Sequence, residues 1–237
     1  MVDIHTHLLF GVDDGPDSIE ESVEMLKAAK AQGIHTMILT PHYRHGMFVY
    51  PNKAIEENFA QLSRHAERIG VKLHLGTEHH VNSRTIEYIE TGRCRTLAGT
   101  HYVLAEYKPE TEFAYIKNSV QELLRYGYIP IVAHIERYMC MHTTFLKNVE
   151  LLRELGVMIQ VNANAVIGLD GGKIKRFVKK LLKNQYVDFI GSDSHDMKER
   201  INNMGKCAEY LYKKYDEAYV DDILEGNAMI LLQSEKR

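Results

Sequence analysis

Seven short apolar runs, each followed by an amphipathic stretch, constrain this 237-residue chain more than any other feature. The runs are Val2–Ile4, Thr36–Leu39, Val71–Leu75, Tyr102–Ala105, Ile129–Ala133, Met158–Val161 and Val187–Ile190. Each is brief, apolar on both faces and bounded by Gly, Pro or polar residues, as strands of a buried parallel sheet are. Between them, helical spacing covers Ile19–Gln32, Lys53–Ile69, Tyr115–Tyr126, Phe145–Leu155 and Lys173–Asn184, with a last pair near Arg200–Tyr215 and Glu217–Leu224. Ser18-Ile19-Glu20-Glu21 reads as a capping box. Gly33, Gly70, Gly127 and Gly156 fall where a left-handed residue ends a helix. Such alternation implies parallel strands with right-handed crossovers, closed as a barrel or open as a doubly wound sheet. No linker or repeat divides the chain, so residues 1–237 are expected to form a single α/β domain.

Charge and cysteine content narrow the function. A formal net charge of −3 disfavours a nucleic-acid coat protein, whose binding is driven by phosphate neutralisation. Three cysteines without close spacing argue against a disulfide framework and for a reducing compartment. The opening Met1-Val2-Asp3-Ile4-His5 has neither the cationic nor the apolar region of a secretory signal. No apolar run approaches the ~20 residues of a membrane helix. A cytoplasmic protein without membrane insertion is expected.

The chemistry sits where strands hand over to loops. Asp3-Ile4-His5-Thr6-His7 ends the first run, and period-2 alternation would put residues 3, 5 and 7 on one face. Two imidazoles so placed can share a metal, with Asp3 free to orient one of them. The other strand ends carry His42, Glu78, Glu106, His134, and the pair Asp193 and His195; only the sixth ends in a poor ligand, Asn162. In α/β barrels this end of the sheet holds the functional site. Ionisable groups gathered there need cations to neutralise them. Imidazole and carboxylate without thiolate suit Mn, Fe, Zn or Co, and so many ligands exceed the needs of one ion. His35, His65, His74, His79, His80, His101 and His142 have no such argument behind them and are read as structural.

Covalent phosphatase chemistry finds no foothold. A thiol phosphatase needs Arg six positions after its Cys, and here Thr100, Leu146 and Lys213 follow Cys94, Cys140 and Cys207. No nucleophile elbow or phosphate-binding glycine loop is present. Arg137 follows His134 by three residues and Arg200 follows His195 by five, which places two phosphate-gripping side chains near the rim. Tyr43–Tyr50, with Gly46 as a hinge, reads as an apolar loop over the site or equally as a buried plug; as a loop it would bring His45 and Phe48 to substrate. The basic run Lys173–Lys180 reads as the wet face of an amphipathic helix.

The segments Asp3–His7, Asp13-Asp14-Gly15-Pro16, Pro41-His42, Ala133–Tyr138 and Ser192–His195 resemble the PHP (polymerase and histidinol phosphatase) superfamily. Nearly the whole chain resembles its CpsB/YwqE-type tyrosine phosphatase branch, associated with capsule and exopolysaccharide operons. The resemblance implies a distorted (β/α)7 TIM-like barrel with three divalent ions, Mn expected and Fe, Zn, Co or Mg compatible. It implies that His5, His7, Glu78 and Asp193 hold one ion, that Glu78, Glu106 and His134 hold a second, and that Asp14, His42 and His195 hold a third. Asp14 is chosen over Asp13 by the resemblance alone. Arg137 and Arg200 would grip phosphate, a hydroxide bridging two ions would attack phosphorus, and His42 or water would assist the leaving phenolate. The implied partner is a bacterial tyrosine kinase. Thr6, Pro41, His45 and Asp196 depart from the residues common in the branch, and none of these departures removes a ligand. Histidinol phosphate as substrate, a PHP-type nuclease, and a non-catalytic kinase regulator are the alternatives.

Overall fold

The computed structural model describes all residues except His45, Val49, Tyr50, Thr143 and Arg237. Nine parallel strand segments form its wall: β1 (Val2–Thr6), β2 (Thr36–Leu39), β3 (His42–Tyr43), β4 (Lys72–Leu75), β5 (Glu78–His80), β6 (Tyr102–Glu106), β7 (Ile129–Val132), β8 (Met158–Asn162) and β9 (Phe189–Gly191). They fall into the orders β1-β2-β4 and β3-β5-β6-β7-β8-β9. The second and third sequence runs supply β2 and β4, and each is followed by a further short strand outside the run, β3 and β5. Thr40-Pro41 separates β2 from β3, and Gly76-Thr77 separates β4 from β5. At the first break Pro41 has no N–H to give the ladder. Counting each broken pair once leaves seven staves. The ring closes where the His7 N–H donates to the Ser194 carbonyl at 3.0 Å and the Asp193 N–H to the His5 carbonyl at 2.8 Å.

The barrel is filled, not hollow. Val2 and Ile4 of β1, Ile38 of β2, Leu104 of β6, Ile131 of β7 and Phe189 of β9 belong to one buried cluster. Residues from opposite staves can meet only through the interior. Ala228 and Leu231 of the helix Asn227–Gln233 join that cluster. The alternate strand residues, among them Met37, Leu39, Val132, Ile159 and Ile190, pack instead with the surrounding helices. Burying each such side chain contributes roughly 1.5–3 kcal/mol.

Helix positions follow local chemistry. Ser18 accepts the Glu21 N–H at 3.2 Å and caps α1 (Ile19–Ala31). Gly33, Gly70, Gly127 and Gly156 all have positive φ, as expected of residues that end helices. The basic run lies on the helix Gly172–Lys183, which buries Phe177, Val178, Leu181 and Leu182 and leaves its lysines to solvent. The last helical region differs from expectation. It starts at Met204, because Ile201–Asn203 runs as loop, and it continues to Gln233 through a π-turn at Asp222–Gly226. Among the described residues no helix is long and apolar enough to cross a membrane.

Candidate metal centre

Strand pairing alone brings the first ligands together: β3 and β5 pair with His42 opposite Glu78, and β5 and β6 with His80 opposite Glu106. The structure gathers nine rim residues into four overlapping groups: His7, Asp14, His42 and His195; His5, His7 and Asp193; His5, Glu78 and His134; and His42, Glu78 and Glu106. Glu78 lies at the middle. Its Oε2 is 3.1 Å from His7 Nε2, 3.3 Å from His5 Nε2 and 3.0 Å from His42 Nδ1, while Oε1 is 2.7 Å from His134 Nε2. Asp193 Oδ1 is 3.5 Å from His5 Nε2 and 3.6 Å from His7 Nε2. The grouping differs from the implied partition. His7 also belongs with Asp14 and His195, His42 also belongs with Glu78 and Glu106, and His134 falls with His5 and Glu78 and not with Glu106.

Backbone strain marks two of these residues. His134 (φ 31°) and Asp193 (φ 51°) both adopt left-handed backbone, a cost that persists where surrounding structure over-determines a site.

The donor set fits cations. His195 Nδ1 lies 2.9 Å from the Asp193 carbonyl, which can only accept, so Nδ1 carries the proton. Burial pushes this imidazole down to about 4, so its Nε2 is a bare lone pair near neutral pH. That lone pair faces Asp14 Oδ1 at 3.3 Å. Two electron-pair donors aimed at each other leave a place that a cation satisfies. His195 Nε2, His42 Nδ1 and Glu78 Oε2 are buried atoms without a hydrogen-bond partner. Orphaned polar groups of this kind call for an explanation, and a shared metal provides one.

Electrostatics in the ion-free centre compensate in part. Burial opposes charge on Asp193, but Arg137, His5 and His134 hold its carboxyl well below the usual range. Glu78 is likewise held low against burial by His5, His42 and His134. Burial lowers the basicity of His7, yet Asp13 and Glu78 outweigh it and keep this imidazole protonated well above its ordinary range.

Two aspartates divide their work. Asp13 Oδ2 lies 2.7 Å from His7 Nδ1 and accepts the His42 N–H at 3.0 Å, so it orients a ligand from behind. Asp14 reaches the donor cluster itself. Gly15 makes the turn between them possible: a Cβ there would stand 2.0 Å from the His7 carbonyl oxygen.

Asp3 departs from expectation. Its carboxylate accepts from the backbone N–H groups of His5 (3.3 Å) and Ser192 (3.0 Å) and from the Asn202 amide (3.2 Å), and it touches no imidazole. The register of β1 is irregular between Asp3 and Thr6, so strict alternation fails there. Gln160 instead takes His5 Nδ1, at 3.1 Å. Neither Gln160 nor the alignment of Asn162 was legible in the sequence, because an interior amide in a strand carries no spacing signal. His80, read as structural, has its Nδ1 3.3 Å from Glu106 Oε2. His79 does behave as a core histidine: its Nε2–H donates to the Arg95 carbonyl at 2.9 Å, and burial holds it neutral, its basicity pushed down to about 4.

Both arginines reach the mouth. Arg137 Nη2 donates to Asp193 Oδ2 at 2.5 Å, and Arg200 Nη1 to Asp14 Oδ2 at 2.9 Å. Their side chains are 38% and 39% exposed, so one face of each remains open to a ligand. Asp196 accepts the N–H groups of Lys198 and Glu199 at 2.6 and 2.7 Å, and this turn brings Arg200 back over the rim. The Phe48 ring stacks on His42 at 5.3 Å and 7°. His45 lies outside the described residues. The cysteines offer no nucleophile: Cys94 is buried, and burial pushes its thiol up to about 12.

The family model for capsular polysaccharide synthesis, CpsB/CapC, matches residues 1–233. This chain belongs to the CpsB/CapC family. The tyrosine-protein phosphatase CpsB of Streptococcus pneumoniae is 32% identical over 243 residues, covering 99% of each chain. A solved chain of the pair YwqE (Bacillus subtilis) and CpsB (Streptococcus pneumoniae), described as unique metal-dependent tyrosine phosphatases, superposes with a TM-score of 0.88. It is 29% identical and covers 100% of this chain and 97% of its own. The histidinol phosphate phosphatase of Lactococcus lactis shares the fold at a TM-score of 0.56 and 17% identity, covering 98% of this chain and 92% of its own. The CpsB/CapC family and a TIM-like barrel therefore both match what the resemblance implied.

Proposed function

We propose that this chain is a metal-dependent phosphatase of phosphotyrosine in proteins, using three divalent ions, with Mn²⁺ as the expected metal. The proposed substrate is a tyrosine kinase of capsular or exopolysaccharide synthesis, met in the cytoplasm. The observation that carries this reading is the meeting of nine imidazole and carboxylate donors with two half-exposed guanidinium groups at one mouth. Imidazole and carboxylate donors without thiolate support Mn²⁺, and their number exceeds the four to six positions of one ion. The kinase and the pathway rest on the resemblance and on the names of the relatives.

His5, His7, Asp14, His42, Glu78, Glu106, His134, Asp193 and His195 would hold the ions. When bound, such ions supply positive charge for phosphoryl oxygens and make water a nucleophile near neutral pH. Arg137 and Arg200 turn their guanidinium forks from Asp193 and Asp14 toward the non-bridging oxygens and neutralise charge there. Phe48, flat against His42, offers an aromatic face to the substrate ring. A phenolate of pKa ~10 leaves with little protonation, and water at the mouth would supply what is needed, since both nitrogens of His42 face candidate ligands.

Phosphate release from a phosphotyrosine peptide and from histidinol phosphate, before and after chelation, tests the proposal. The expected result is peptide turnover that chelation removes and Mn²⁺ restores. Turnover of histidinol phosphate alone, or none with ions bound, overturns the substrate. An Arg200→Ala variant is expected to raise KM for the peptide about tenfold or more, with metal content by mass spectrometry unchanged. A parallel loss of metal would instead assign Arg200 to holding Asp14.

A further inference from the structure

Strand β8 brings no candidate ligand to the rim, yet two of its buried side chains are joined to three of them. The proton positions follow from one unambiguous donor. The backbone N–H of His134 lies 2.7 Å from the Gln160 carboxamide, and a peptide N–H only donates, so the atom that it meets is the oxygen. The same oxygen lies 3.1 Å from His5 Nδ1. Nδ1 therefore carries a proton, and Nε2 is the nitrogen left facing Glu78 and Asp193. The other end of the carboxamide is then its NH2, 2.8 Å from Asn162 Oδ1. That leaves the Asn162 NH2 to donate to Asp193 Oδ2 at 2.9 Å. Asn162 is anchored from its backbone, whose N–H donates to Glu136 Oε1 at 3.0 Å. Space for the relay depends on Gly191, where a Cβ would stand 2.9 Å from Gln160 Nε2 and 2.8 Å from the Cβ of His5.

We propose that Gln160 is a positioning residue of the metal centre: its carboxamide holds His5 as the Nδ1–H tautomer and, through Asn162, sets the direction of the Asp193 carboxylate. The proposal rests on reading His5 and Asp193 as metal ligands. Each link has its donor and acceptor dictated by the one before it, so the stave without a ligand dictates how ligands from two other staves point. Partners behind metal-bound imidazoles act in this way, and their loss typically costs 10–100-fold in metal affinity.

Calorimetric titration of ion-free wild type, Gln160→Leu and Gln160→Glu with Mn²⁺ tests the idea, with long-range ¹H–¹⁵N spectra of the ion-free imidazoles as a second readout. Gln160→Leu is expected to bind Mn²⁺ about 10–100-fold more weakly and to show His5 as mixed tautomers. Gln160→Glu keeps the acceptor for His5 but loses the NH2 that Asn162 accepts from, so it is expected to keep the His5 Nδ1 proton and to recover only part of the affinity. Wild-type affinity in Gln160→Leu, or a His5 that keeps its Nδ1 proton there, overturns the proposal. Should Gln160→Leu not fold, Asn162→Ala cuts only the arm to Asp193, and unchanged Mn²⁺ affinity in that variant overturns the relay. A wild type that itself takes up neither Mn²⁺ nor Zn²⁺ overturns the ligand reading, and that failure is distinct because the variants play no part in it.

Discussion

Asp193→Asn is expected to lower turnover of a phosphotyrosine peptide by about 10³-fold or more, with loss of bound metal. Few side chains here do as much at once. Oδ1 faces His5 and His7, while Oδ2 accepts from both Arg137 and Asn162. Asparagine keeps the shape, but it removes the charge that neutralises a cation and puts an NH2 either where Arg137 and Asn162 need an acceptor or where the ion would need one. Arg137 is then left without its partner, so the variant damages ion binding and phosphate grip together. His5→Ala is the companion test, since it deletes a ligand without touching Arg137. Metal content and steady-state kinetics, measured on both variants, check the prediction. Activity of Asp193→Asn within tenfold of wild type would sink the metal-centre assignment.

Saturating Mn²⁺ is expected to raise Tm by tens of degrees if all the groups fill. An ion at a thousand times its Kd stabilises by about 4 kcal/mol, and in a chain of this size each kcal/mol moves Tm by about 2–4 °C. One tight ion therefore accounts for about 8–16 °C. The reason is local: buried carboxylates and imidazoles here are balanced without ions only by protons and by two arginines.

The pH dependence has a definite sign. His5 and His7 are both raised in the ion-free fold, each against burial, by Glu78 with Asp193 and by Asp13 with Glu78 respectively. Their contribution to ion-free stability is fully present below the unfolded histidine value of about 6.5 and fades as pH rises through the folded values. Asp193, Glu78 and Asp13 are lowered by their partners against burial, so their contribution is present above about 4 and is lost in acid. An incoming ion must displace the histidine protons, which costs less at higher pH. The Mn²⁺ shift of Tm is therefore expected to be larger at pH 8 than at pH 6. Calorimetry across that range with and without Mn²⁺ measures it, and an equal or reversed shift would contradict the assigned imidazole protonation.

The sequence by itself determined the staves and what stands at their ends. Period and bounding residues marked the runs, because a strand buried on both faces is apolar and then stops; the third, which carries Lys72 and His74, is instead only half-buried. His42, Glu78, Glu106, His134 and Asp193 were legible for the same reason: an ionisable residue within three positions of the end of such a run has few places to go but the rim. Helix ends at Gly33, Gly70, Gly127 and Gly156 followed from backbone freedom alone. Tertiary structure decided everything that depends on a distant partner. The short strands β3 and β5 continue two staves beyond the runs, past Thr40-Pro41 and Gly76-Thr77, and the register of β1 is irregular where Asp3 fails to reach the imidazole it was expected to orient. Asp13 and Asp14 are adjacent and chemically alike, so only the chain path set by Gly15 gives one to His7 Nδ1 and the other to the donor cluster. The Gln160 and Asn162 contacts join residues 26 to 155 positions apart. Hydrogen-bond direction across such separations is a property of the closed barrel, and no local pattern encodes it.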